Sequence, residues 1–63
     1  MNFEGKWRLR NGWEAEVKTL VDGRWYGVIS IKATTVPHNW DANGDSENKD
    51  LDLMERLGWR ARV

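Results

Sequence analysis

Apolar and polar residues alternate with a period of two along most of this chain, the pattern of strands with one buried face. It is clearest from Gly5 to Val17, GKWRLRNGWEAEV. Asn-Gly between two alternating runs signals a hairpin. A two-residue Asn11-Gly12 loop would set Trp7 against Glu16 and Leu9 against Glu14, mixing apolar and acidic side chains on one face. A three-residue loop, Arg10-Asn11-Gly12, with Gly12 in the left-handed region that a Cβ disfavours, pairs Leu9 with Trp13, Trp7 with Ala15 and Gly5 with Val17. One face is then apolar. The other sets Arg8 against Glu14 and Lys6 against Glu16, each pair favourable by about 0.2–1 kcal/mol. The three-residue loop is the predicted one.

The second strand runs on through Leu20 to Asp22-Gly23. The same logic predicts a loop Val21-Asp22-Gly23, pairing Thr19 with Trp25, Val17 with Gly27 and Ala15 with Ile29. Trp25, Gly27, Ile29 and Ile31 then point inward, and Arg24, Tyr26, Ser30 and Lys32 outward, with Val28 a mild exception to the alternation and Tyr26 beside Lys18. Gly27 marks a bend or bulge. Pro37 lacks a backbone donor, so residues 33–37 form a sheet edge or a crossover. Val36, His38, Trp40 and Ala42 alternate into a short fourth strand, and 44–49 is a polar loop. Residues 47–57 admit two readings. As a strand, Leu51 and Leu53 face in and Asp50 and Asp52 face out; as a short helix from near Ser46, acidic residues open it and Gly58 ends it. The tail 58–63 alternates again, and either closes the sheet, pairs with another chain or stays flexible.

These elements predict an all-β fold: one domain over 1–63, an antiparallel meander of four to six strands forming an SH3-like or partly open barrel. Sixty-three residues lie near the lower limit for an independent core. There is no cysteine to staple it, but there are five tryptophans, and each aromatic side chain can bury about 150–250 Å². The lack of cysteine fits a reducing compartment. No apolar run reaches signal-peptide or membrane-span length, so a soluble, cytoplasmic protein with no membrane partner is expected. Ten basic and ten acidic residues cancel, which argues against a protein built to neutralise phosphates.

The order Arg10-Asn11-Gly12-x-x-Ala15-x-Val17, Gly23-x-Trp25-x-Gly27-x-Ile29, Trp40-x-x-x-Gly44 and Asp50-Leu51 resembles small phage and prophage-encoded β-domain proteins of unassigned function. The resemblance spans roughly residues 6–54 and rests on turn and core positions. It implies a small antiparallel β-domain in which Asp50-Leu51 begins a closing strand, and tips the 47–57 segment towards strand. It carries over no catalytic residue.

Little in the chain suggests catalysis or a cofactor. Asp41, Asn43, Asp45 and Asp52 occupy positions 1, 3, 5 and 12 of a calcium loop, but Ser46 replaces the glycine needed at position six and Lys49 puts a cation at nine; an Asx-rich turn explains them better. His38 has no second histidine or cysteine with which to hold zinc. Glu14 and Glu16 fall on a flat face opposite Arg8 and Lys6, which accounts for them without chemistry. The aromatics are the stronger signal. Trp7, Trp13, Trp25 and Trp40 share the inner face, where core is the default. Tyr26 points out, and with Trp59, Arg60 and Arg62 it would make a surface of the residue types that anchor protein interfaces or stack on single-stranded nucleic acid. The expected function is non-enzymatic protein binding, with nucleic-acid binding or self-association through a strand edge as alternatives.

Overall fold

The computed structural model describes residues 2–58. Five strands, β1 (Gly5–Leu9), β2 (Glu14–Val21), β3 (Arg24–Ile31), β4 (Thr34–Trp40) and β5 (Leu53–Gly58), form one antiparallel sheet in the order β4-β3-β2-β1-β5. Its curl makes a small, partly open barrel. Trp59, Arg60 and Arg62 lie outside the described residues, whereas Gly58, placed above in the tail, belongs to β5.

The first hairpin has the expected register, Gly5 to Arg8 opposite Val17 to Glu14. Leu9 N–H donates to Trp13 O (2.8 Å), and Gly12, at φ +94°, donates its N–H to Leu9 O (2.9 Å). This is the three-residue loop. The second hairpin differs. Asp22 and Gly23 both have positive φ (51° and 79°), as a two-residue type I′ turn requires. Val21 therefore pairs with Arg24, Leu20 with Trp25 and Thr19 with Tyr26, and Lys18 is absorbed as a bulge before Val17 meets Gly27 as expected. Asp-Gly favours the turn whose twist matches the strands, and the bulge supplies the bend. Gly27 sits opposite it because a Cβ there would overlap the Glu16 carbonyl oxygen. Tyr26 thus faces Thr19, not Lys18.

The helix over 47–57 does not form. Only Lys49–Leu51 makes a single 3-10 turn, capped by Asn48, whose side chain accepts the Asp50 N–H. β5 then pairs with β1, Leu53 opposite Leu9 and Arg56 opposite Trp7. A helix would have left the β1 edge without hydrogen-bond partners. Two register shifts make Met54 and Leu57 the extra residues of β5, and both are largely exposed.

The core is Phe3, Trp7, Leu9, Ala15, Val17, Trp25, Ile29 and Trp40, with Ile31, Leu51 and Leu53 against it. Phe3 packs on Trp7 and Trp25 at 5.3 and 5.9 Å between ring centroids. The Trp7 indole N–H donates to Phe3 O, and the Arg56 guanidinium lies 4.6 Å over the Trp7 ring while bonding the Asn2 and Glu4 carbonyls. Trp13 departs from expectation: it is the first inward position after the turn, at the margin of the sheet, and 42% of it is accessible.

Among the described residues β4 and β5 are the outer strands of the sheet, and each edge is interrupted. The β3–β4 turn, Lys32-Ala33, sets Ile31 opposite Thr34. If hydrogen-bonded and non-bonded pairs alternate from that closing pair, Pro37, opposite Val28, turns its nitrogen outward. An added strand would find no donor at the centre of β4, and bulges distort β5. Pro37→Thr should restore the donor and raise self-association; sedimentation velocity that found both forms equally monomeric at high concentration would contradict this account of the edge.

Candidate functional site

Two groups of side chains stand apart from the fold's scaffolding. The first ties the 41–52 segment across the core. Ser46 and Asp52 are buried, although strand alternation places Asp52 outward. Asp52 Oδ1 accepts the Ser46 N–H (2.7 Å) and Oδ2 accepts from Arg10 (3.3 Å), whose Nε also donates to Lys49 O. Ser46 Oγ lies 2.8 Å from His38 Nε2 and accepts from Asn48 N–H. The Trp40 indole N–H reaches Leu51 O at 2.8 Å.

Serine, histidine and aspartate here have the composition of a hydrolytic triad but not its geometry. The aspartate bonds the serine backbone, not the imidazole, and the hydroxyl is buried, so no nucleophile is presented. The Ser46 N–H bond is the main influence holding the Asp52 carboxyl below its usual range, against the opposing effect of burial and with help from Arg10 and Lys49. Burial lowers the His38 pKa, partly offset by the charge of Glu47. These groups latch the segment in place.

The calcium candidates do not converge. Asp41 Oδ1 accepts the N–H groups of Asn43 (2.8 Å) and Asp45 (3.0 Å), an Asx turn that lowers its pKa, while Asp52 is held by Ser46 and Arg10. Among the described residues no three His, Asp or Glu side chains gather closely enough to hold a metal ion.

The second group lies on the outer face of the sheet. Tyr26, 40% accessible, points there as expected. Val28, two residues on along β3, shares its face, with Pro37 directly opposite on β4; Val21, opposite Arg24, extends the strip to the end of β2. Beside it is a depression of about 180 Å³ lined by Lys6, Glu14, Glu16, Val28, Ser30 and Thr35.

Charges here are arranged differently from the hairpin taken alone. Arg8 stands opposite Glu14 in register, yet its guanidinium turns to Glu55 (3.7 Å) and to Gly12 O (3.2 Å), because β5 brings a second carboxylate to its other side. Glu14 and Glu16 have no ion-pair partner within 4 Å among the described residues. Sequence reasoning found Tyr26 but not its neighbours, since Val28 reads as a mild exception to alternation and Pro37 as an edge marker. The remaining residues of the expected binding surface, Trp59, Arg60 and Arg62, lie outside the described residues. Among those described, no helix is long and apolar enough to cross a membrane. No protein family, curated protein or solved structure matches the chain.

Proposed function

We propose that this chain is a small non-enzymatic protein-binding domain, a cytoplasmic accessory protein of the phage or prophage type, that docks its partner on the outer face of the sheet around Tyr26. The observation that carries the reading is the half-exposed Tyr26 in line with Val21, Val28 and Pro37. Aromatic anchors flanked by aliphatic surface supply most of the energy of protein interfaces. The interrupted edges favour docking on a face over strand addition. Two glutamates beside the strip would repel phosphates, which weighs against nucleic acid.

Random peptides displayed on phage and selected on the immobilised protein test this. Binders should lose about thirtyfold or more in affinity for Tyr26→Ala, as an anchor residue does, and keep their affinity for Trp13→Ala. Dependence on Trp13 instead would move the interface to the inner margin of the sheet.

A further inference from the structure

We infer that the depression beside Tyr26 takes an arginine or lysine side chain, so that the partner is an extended segment with a basic residue two positions from an apolar one. This rests on the docking face proposed above and adds the chemistry of what docks there. Glu14 and Glu16 face one lysine, Lys6, across the depression, and Arg8, which the hairpin register sets against Glu14, is drawn to Glu55. Carboxylates with no ion-pair partner within 4 Å among the described residues, although Lys6 stands opposite Glu16 in the register, with the hydroxyls of Ser30 and Thr35 beside them, offer the acceptors that a guanidinium fork or an ammonium group uses. A volume of about 180 Å³ is below the roughly 300 Å³ at which small-molecule sites begin; it suits one long side chain.

The spacing follows from the sheet. Val28 belongs both to the depression and to the strip, and Tyr26 lies two residues from it on the same face. Alternate residues of an extended segment are about 6.5–7 Å apart, so a segment with a basic side chain in the depression sets the apolar side chain two positions away over Tyr26. A second copy of the chain is a poorer occupant. A stable interface buries about 800 Å² per partner, close to a fifth of this molecule's 4445 Å², and a strip of four residues offers far less.

The probe is a blocked pentapeptide, glycine-arginine-alanine-leucine-glycine, compared with the same peptide carrying neutral citrulline for arginine. Titrated into 15N-labelled full-length protein at low salt, the arginine peptide should shift the amides of Glu14, Glu16, Ser30 and Tyr26. The citrulline peptide, or the Glu14→Gln, Glu16→Gln double variant, should bind about tenfold more weakly, the loss expected for charge-assisted hydrogen bonds. Equal shifts by both peptides at Tyr26 would overturn the basic specificity and leave the docking face standing. No shifts at these amides with the arginine peptide would overturn the inference whatever the display selection finds. Selected binders that depend on Trp13 would remove the docking face as well, and a thymidine oligonucleotide shifting the same amides would assign the face to nucleic acid.

Discussion

Trp40→Ala is expected to cost about 3–5 kcal/mol, the range for deleting a fully buried large aromatic, and to leave much of the chain unfolded in dilute buffer. A domain of this size has about 3–9 kcal/mol in hand, at about 0.05–0.15 kcal/mol per residue. Among the described residues Trp40 is the largest side chain with no accessible surface. It stands opposite Trp25 in the β3–β4 register, meets His38 edge to face at 5.0 Å between centroids, and ties the 41–52 segment down through Leu51 O. Trp40→Phe separates the two roles: it keeps an aromatic ring in the core and gives up the indole N–H, an expected loss of about 1–3 kcal/mol. Urea unfolding followed by circular dichroism measures both. A loss under about 1 kcal/mol for the alanine variant, well below the quoted range, would mean that Trp40 does not organise the core.

Gly27→Ala should be the most damaging single-methyl substitution on the sheet. The new Cβ would overlap the Glu16 carbonyl oxygen and stand 2.8 Å from Val17 Cα. Both contacts are backbone, so no side-chain rotation relieves them, and β2 and β3 would have to separate where the Lys18 bulge already bends the sheet. The cost belongs at or above the upper end of the overpacking range, about 3 kcal/mol. Gly12→Ala is the comparison. Nothing lies within 4 Å of a Cβ there, and the cost is only that of a positive φ, about 1–2 kcal/mol. If thermal unfolding ranked Gly12→Ala as the worse variant, the close approach at Gly27 would not be what holds that position to glycine.

How far the sequence could be read depended on the range of the interactions involved. The register of the first hairpin is local: the turn, the apolar face and the charge pairs lie within thirteen residues and agree on one answer. The second hairpin is equally local in its turn, but choosing between two and three loop residues needs the Lys18 bulge, which depends on how the whole sheet curls. Tyr26 is legible as an outward residue because alternation suffices. The surface around it is not, since Val28, Pro37 and the depression come together only when β3 and β4 pair.

Asp52 shows the same limit more sharply. Between Leu51 and Leu53 it reads as outward, and only the passage of residues 41–52 over the core turns it in towards Ser46 and Arg10. Trp13 errs the other way. Its inward parity follows from the pattern, but its exposure depends on how far the covering segments extend.

The sequence by itself determined the all-β class, the meander and the first turn, because period-two patterning and turn chemistry act between near neighbours. Tertiary structure alone decided that the 47–57 segment makes a 3-10 turn and then enters β5 rather than a helix, that Asp52 is buried and that Arg8 meets Glu55. Each of these depends on which distant strand lies alongside, and side-chain burial and ion pairing follow from that placement.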